Sequence, residues 1–210
     1  MDPQIALLLT YMLLALVVSA LCSFLEATIL STPMSYVTTL ETQGVKGWQR
    51  LKQYKTNIDR PISAILIVNT IANTVGASLV GSQAAGYAAK HYSTSDETSL
   101  FVGVVSAVFT LLVLIFSEIF PKTVATAYWR RFAIPASSAI RVYIMLTYGL
   151  VVLLEKMTRS VSSNSTQESV TRDEVAAIVT VGTQEGVLEK KENRMIQHLL
   201  KLDSITAHEI

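Results

Sequence analysis

The chain has 210 residues, of which half are hydrophobic and only 16% are charged, and its formal net charge is +1. This composition indicates a membrane protein with a smaller polar part, and the nearly balanced charge argues against a nucleic-acid partner. Cys22 is the only cysteine, which excludes a disulfide framework or a thiolate metal site. No nucleophile–base pair or metal-hydrolase spacing is present, so we do not expect an enzyme.

Three apolar segments are long enough to cross a membrane, which takes about 20 residues of helix. They are Ile5 to Leu30, Pro61 to Ala89 and Leu100 to Tyr128. The first segment has no Lys or Arg before it and is longer than the apolar core of a signal peptide. We therefore expect it to be retained as a span.

Basic residues predict the orientation of these spans. The loop between the first two spans contains Lys46, Arg50, Lys52, Lys55 and Arg60, whereas the link after the second span has only Lys90 at its edge. The positive-inside rule then places the N-terminus outside the cell membrane and the C-terminus in the cytoplasm.

A fourth apolar run, Val142 to Leu154, has 13 residues and basic residues on both flanks. This is short for a span. We expect Ala133 to Thr158 to form a helix that lies in the cytoplasmic interface or wraps around the bundle there. The alternative is a true fourth span, which would place the C-terminus outside.

The remainder of the chain is polar. Residues 1–159 are expected to form the transmembrane domain and residues 160–169 a linker. Residues 170–202 are expected to form a small, acidic helical bundle, since Thr171 and Glu174 have capping-box spacing at its start. The predicted fold class is therefore an all-α membrane protein with three transmembrane helices, a juxtamembrane helix and a small cytoplasmic helical bundle.

Polar side chains recur inside all three spans. Ser19, Ser23 and Glu26 share one face of the first span, Asn69 and Asn73 are one turn apart in the second, and Ser117 and Glu118 lie in the third. Apart from Glu26, which lies nearer the cytoplasmic end and can cap a cation there, these side chains fall about 10–18 Å in from the cytoplasmic boundary. Three helices therefore bring oxygen-bearing side chains to one level.

Hydroxyl, amide and carboxylate oxygens suit a hard cation such as Mg²⁺, Ca²⁺ or Na⁺. Glu118 in hydrocarbon costs about 3 kcal/mol unless a positive charge accompanies it. Pro121 removes a helical hydrogen bond and frees a carbonyl near Ser117, which is a further candidate ligand. The structural alternative is that Lys122 pairs with Glu118 at i+4, while the serines bond to their own backbone and the asparagines join helices.

Four segments of the chain resemble the CorC/CNNM (cyclin M) family of magnesium transporters. They are Ser19 to Ala27 (SALCSFLEA), Asn69 to Thr74 (NTIANT), Ser117 to Thr123 (SEIFPKT) and Gln184 to Ile196, with its acidic helical pattern. The segments occur in the family's order, and the stretch from the first to the last of them spans nearly the whole chain.

The resemblance implies a homodimer of three-span subunits in which the juxtamembrane helix acts as a belt. It implies export of Mg²⁺, with Na⁺ exchange as the proposed coupling. By motif position, one dehydrated Mg²⁺ per subunit is bound by Ser19, Ser23, Asn73 and Glu118. Asn69 is a weaker candidate, and the carbonyl of Ser117, where the family usually has glycine, can add a ligand.

Family members continue into a pair of CBS modules, and residues 203–210 resemble the lead-in to the first. A nucleotide such as ATP is therefore expected as a partner only through modules that this chain lacks. Two other classes remain open from the sequence. One is a divalent-cation channel built from the same residues, and the other is a non-transporting scaffold or sensor in which Glu118 and Lys122 form a structural pair.

Overall fold

The computed structural model describes residues 3–153, 156, 172–184 and 186–201, which form helices joined by turns with no strand among them. The chain divides into two compact units, Met1–Val161 and Ser162–Ile210. The first unit contains three helical stretches that are long and apolar enough to cross a membrane. The predicted all-α membrane fold class is confirmed.

The first unit contains α1 (Pro3–Ser31), α2 (Met34–Thr42), α3 (Trp48–Thr56), α4 (Asp59–His91), α5 (Ser95–Leu112), a π-helix (Val113–Ile119) and α6 (Phe120–Leu146). Residues 148–153 are helical again after a turn at Thr147. The candidate spans are α1, α4 and the continuous stretch from α5 through the π-helix to α6. Helices α2 and α3 form the basic loop between the first two spans.

The third stretch, Ser95–Leu146, has 52 residues, far more than the 20 or so that cross a bilayer. Its backbone is non-helical at Tyr128, with φ −114° and ψ 20°. The sequence predicts a span that ends at Tyr128 and a separate helix from Ala133 to Thr158. The kink lies at the residue where the span is predicted to end, and a second helical segment, with Pro135 inside it, follows the kink and continues to Leu146. Thr147 then interrupts the expected second helix, and residues 154, 155, 157 and 158 lie outside the described residues.

The larger hydrophobic core lies at the end of the first unit that carries α2 and α3, which we call the basic end. Its buried members are Cys22, Leu25, Ile29, Val37, Leu40, Leu51, Tyr54, Ala64, Ile65, Ala133, Ala136, Ile140, Ile144 and Val151. They come from α1, α2, α3, α4, α6 and the short helical segment after it. The second half of α6 therefore packs against the same end of α1 and α4 as the basic loop does.

The outer face of α6 is apolar as well. Ile140 and Ile144 are buried, whereas Val142, Met145 and Leu146 are 61%, 70% and 77% exposed. A helix that is apolar on both faces is typical of contact with lipid rather than water. This part of α6 thus packs on the bundle with one face and presents an apolar face to its surroundings.

A close approach of α1 and α4 sets the spacing of the two helices that carry most of the predicted polar side chains. A Cβ added at Gly76 would lie 2.5 Å from Cβ of Ala15, far inside van der Waals contact. Ala15, Val80 and Phe109 form a second, smaller core cluster there. Glycine at 76 therefore permits this helix spacing.

The second unit contains α7 (Arg172–Gln184) and α8 (Lys190–Lys201). Gly186 between them has a φ of +76°, which favours glycine. The carboxylate of Glu192 accepts a hydrogen bond from the backbone N–H of Glu189 over 2.8 Å, which caps α8. The side-chain amide of Gln197 donates to the carbonyl of Ala176 over 3.0 Å and joins the two helices. The predicted linker at 160–169, Thr171 and the segment 203–210 lie outside the described residues.

Candidate ion-binding site

Helices α1 and α4 bring three of the predicted polar side chains into direct contact. The hydroxyl of Ser19 donates to Oδ1 of Asn69 over 2.8 Å. The side-chain amide of Asn73 donates to the same oxygen over 3.4 Å. Asn69 therefore acts as a clasp between the two helices, and its carbonyl oxygen is already used twice.

Two buried oxygens beside this clasp have no hydrogen-bond partner in the described part of the chain: Oγ of Ser23 and Oδ1 of Asn73. Ser23 lies one turn from Ser19 on α1 and is only 1% exposed. An unpartnered buried polar group costs about 1–3 kcal/mol. An oxygen atom that serves as a ligand for an ion is expected to lack a hydrogen-bond partner within the protein in this way.

The serines of α1 do not follow the structural alternative. Thr28 on the same helix donates its hydroxyl to the carbonyl of Phe24 over 2.8 Å, as hydroxyl side chains in apolar helices usually do. Among residues 3–153, Ser19 donates to Asn69 instead, and Ser23 makes no such backbone bond. The hydroxyl of Ser19 is therefore directed at α4 rather than at its own helix, and the hydroxyl of Ser23 is bonded to neither.

The π-helix contains Ser117 and Glu118. At its end, the N–H of Phe120 donates to the carbonyl of Ile115, five residues earlier. Pro121 follows and has no N–H, so the carbonyl it would otherwise have engaged, that of Phe116 or Ser117, lacks its helical donor. Single π-helical turns are frequent at functional sites because they free backbone groups and turn side chains.

Ser117 fixes the π-helix against α1. Its hydroxyl donates to the carbonyl of Leu16 over 3.0 Å, and its side chain is fully buried. Because Leu16 lies one turn before Ser19, Glu118 is placed beside the level of the α1–α4 clasp. The extra side chain at 117, where the family usually has glycine, is thus used for helix packing.

Glu118 is half-buried and has no hydrogen bond or ion pair with another described residue. Nζ of Lys122 lies 3.2 Å from Oε2 of Glu26 on α1. The alternative of a structural Glu118–Lys122 pair is therefore wrong. It considered the spacing within one helix, whereas the carboxylate that Lys122 contacts lies on α1.

The Glu26–Lys122 pair was predicted only in part, since the sequence indicated that Glu26 can cap a cation but not that the cation is Lys122. Lys122 and Glu26 have side chains that are 46% and 31% exposed, so water reaches the pair. Depth along the spans could have indicated the pair. Glu26 lies four positions before the predicted end of the first span at Leu30, and Lys122 lies six positions before the predicted end of the third span at Tyr128. Nothing in the sequence indicated that the carbonyl of Leu16 would accept a hydrogen bond from Ser117.

Helix α3 contacts the C-terminal end of α1, the helix that carries Ser19, Ser23 and Glu26. Nζ of Lys55 donates to the carbonyl of Ile29 over 3.2 Å. Burial lowers the pKa of Lys55 from its usual value. An ammonium group at a helix C-terminus complements the helix dipole, so the basic loop stabilises α1 at its C-terminal end.

The described residues contain no group of three or more His, Cys, Asp or Glu side chains that would hold a metal ion. What they contain instead is a set of hydroxyl and amide oxygens on α1 and α4, together with the carboxylate of Glu118 on the π-helix that Ser117 joins to α1. Such a set of hard oxygen ligands is suited to hard cations rather than to zinc or copper.

The fold defines a membrane domain of three long apolar helical stretches with buried polar side chains between the first two of them. The family model for the cyclin M transmembrane N-terminal domain matches residues 10–192. The chain therefore belongs to the CNNM family, whose members are membrane proteins of a transporter type, generally associated with metal-ion transport. The resemblance to the CorC/CNNM family is confirmed.

Curated relatives support the same membership. The chain is 30% identical over 189 residues to the UPF0053 protein sll1254 of Synechocystis, which covers 90% of this chain and 52% of the relative. It is 25% identical over 208 residues to a UPF0053 protein of Haemophilus influenzae, covering 95% and 46% respectively. It is 26% identical over 178 residues to the UPF0053 inner membrane protein YfjD of Escherichia coli, covering 80% and 38%. The chain thus spans about half or less of the length of these relatives.

Proposed function

We propose that this domain exports Mg²⁺ across the cell membrane and that Na⁺ influx drives the export. One Mg²⁺ binds between the spans through Ser19, Ser23, Asn73 and Glu118. Asn69 and the backbone carbonyl of Ser117 are the further candidate ligands of this ion. The observation that carries this proposal is the pair of unpartnered buried oxygens on Ser23 and Asn73.

Charge supports a cation as the ligand. Glu118 has no positive partner among the described residues, since the ammonium of Lys122 is directed to Glu26. An unpaired carboxylate inside a membrane span is costly, and a bound cation would offset that cost. Mg²⁺ holds its water tightly, so replacing that water requires several protein oxygens together with a full negative charge.

The third span suits alternating access. A helix that contains a π-turn followed by proline lacks part of its hydrogen-bond ladder there and bends more easily. Rocking at Pro121 would expose the site first to the cytoplasm and then to the outside. Na⁺ returning through the same oxygens would reset it. The basic α2–α3 loop favours an external N-terminus and a cytoplasmic C-terminus.

Two partners follow from family membership and are proposed with the function. One is a second copy of the chain, forming a homodimer in the bilayer. The other is a nucleotide such as ATP, which would act through a pair of CBS modules.

Flux measurements in proteoliposomes test the proposal. We expect protein that contains Glu118→Gln to lose Na⁺-driven Mg²⁺ efflux, because the substitution removes the only carboxylate of the site. The matched control is Glu97→Gln, an exposed carboxylate in the first turn of α5, which should leave efflux unchanged. Normal efflux by Glu118→Gln would refute the site. Unitary currents in a planar bilayer would show that the protein is a channel rather than a carrier.

A further inference from the structure

The side chain of Ser117 joins two candidate membrane spans that are far apart in the sequence. Its hydroxyl donates to the backbone carbonyl of Leu16 over 3.0 Å, and the residue is fully buried. Thr110 and Thr123, which flank Ser117 on the same stretch, donate their hydroxyls to carbonyls four residues earlier on that stretch, over 2.9 and 2.8 Å. Ser117 therefore differs from its neighbours because its hydroxyl bonds to another helix.

The face of the third stretch that carries Ser117 is a row of small residues. Ser117, Pro121 and Ala125 recur every four residues and are all buried, and both the π-helix and α6 contact α1. Apolar contact between small side chains lets helices approach closely but has no preferred direction. Ser117 is the member of this row with a polar side chain. Because a hydrogen bond is directional, its bond to Leu16 fixes the position of the π-helix along α1.

This position bears on the proposed ion-binding site. Leu16 precedes Ser19 by three residues, which is about 4.5 Å along α1, and Glu118 directly follows Ser117. The bond therefore ties the π-helix to α1 within one turn of a candidate ligand on each of the two helices. The ion pair that joins the start of α6 to α1 is partly exposed to water, so the buried bond is the firmer of the two ties.

The size of the ion determines what a firm tie does. Mg²⁺ requires nearly ideal octahedral geometry with oxygens at about 2.0–2.1 Å, whereas Ca²⁺ accepts roughly six to eight oxygens at about 2.3–2.6 Å in flexible geometry. Ligands on two helices can follow the larger ion only if the helices shift against each other. We propose that Ser117 is a positioning residue that holds the π-helix at the spacing suited to Mg²⁺, so that the site prefers Mg²⁺ over Ca²⁺. This inference rests on the ion-binding site of the proposed function and adds the residue that sets its selectivity.

Calorimetric titration of Mg²⁺ and of Ca²⁺, in fixed salt, on the unaltered chain and on Ser117→Ala tests the proposal. The substitution removes the hydroxyl but keeps the Cβ atom and the backbone carbonyl that is a candidate ligand. We expect the ratio of Mg²⁺ affinity to Ca²⁺ affinity to fall about fivefold, which corresponds to the strength of one hydrogen bond between membrane helices. The matched control is Thr110→Val, which removes a hydroxyl that bonds within its own helix and should keep the ratio.

A second variant and the possible outcomes separate selectivity from packing. Ser117→Gly should lower the ratio at least as far, because it removes the same hydroxyl and leaves the backbone freer. An unchanged ratio in Ser117→Ala, or a fall of both affinities by the same factor, would overturn the proposal and leave the bond with a role in packing alone. Either result would leave the proposed function standing, whereas failure of the unaltered chain to bind Mg²⁺ would refute both.

Discussion

Lys122 and Glu26 form an ion pair between two helices, with Nζ 3.2 Å from Oε2. The pair joins the start of α6 to the basic end of α1, one turn beyond Ser23. It has a consequence for Glu118, which lies four residues before Lys122 and is left without a positive partner among the described residues. The same lysine that could have neutralised the membrane carboxylate instead holds α6 against α1.

The first prediction concerns this lysine. Lys122→Met should lower the free energy of unfolding by no more than about 1 kcal/mol, because both partners are partly exposed to water. It should leave Mg²⁺ affinity within about twofold, because the ammonium does not contact the proposed ligands. Chemical denaturation and calorimetry on the same sample measure the two quantities.

A double-mutant cycle with Glu26→Gln supplies the control. The two substitutions should be non-additive, since each alone removes the same pair. If Lys122→Met unfolded the protein, or raised Mg²⁺ affinity more than tenfold, Lys122 would have to be a partner of Glu118 after all.

The second prediction concerns the unpartnered hydroxyl of Ser23. Ser23→Ala should leave the free energy of unfolding unchanged or slightly higher, because an unsatisfied buried polar atom disappears. Mg²⁺ affinity should nevertheless fall about tenfold, or about 1.4 kcal/mol, if Ser23 is a ligand. The control is Ser82→Ala, an exposed serine that donates to the carbonyl of Leu79 within its own helix over 2.9 Å. Equal affinities in the two variants would remove Ser23 from the site.

The third prediction separates the two asparagines. Oδ1 of Asn69 accepts two hydrogen bonds, whereas Oδ1 of Asn73 accepts none among the described residues. Asn69→Ala should therefore lower stability by about 1–3 kcal/mol through the loss of the clasp. Asn73→Ala should chiefly lower Mg²⁺ affinity. The reverse pattern, with Asn69→Ala stable and unable to bind, would exchange their roles.

The sequence predicted the long helices well because length and hydropathy decide whether a helix suits a bilayer. It also predicted the polar level shared by Ser19, Asn69 and Asn73, since spacing within a helix and depth along it are readable from residue numbers. Ser19 and Asn69 are hydrogen-bonded to each other in the structure, which requires them to lie at the same depth.

The third stretch was harder to predict because its details depend on contacts between helices. Pro121 signalled a freed carbonyl, but the five-residue register at Phe120 has no pattern in the sequence. The i, i+4 rule considers one helix at a time, so it offered Glu118 as the alternative partner of Lys122 and did not identify Lys122 as the cation that Glu26 on α1 contacts. The helices α2 and α3 were likewise not foreseen within the basic loop.

The fourth prediction concerns the close contact of α1 and α4. Gly76→Ala should destabilise the fold by about 1–3 kcal/mol, because the added methyl group would overlap Ala15 in a packed contact. Gly81→Ala, five residues further along α4, meets no atom within 4 Å. It should stabilise the helix by about 0.5–1 kcal/mol. Unfolding free energies in detergent measure both, and equal values would mean that α1 and α4 are not in contact at Gly76.

The central claim is that a divalent cation binds between the spans at Glu118. The most direct measurement is Mg²⁺ titration by calorimetry, in fixed salt, on the unaltered chain, on Glu118→Gln and on Glu97→Gln as the charge-matched control. The account predicts that binding disappears in Glu118→Gln alone. Binding that is equal in all three proteins would contradict it and place the ion outside the membrane helices.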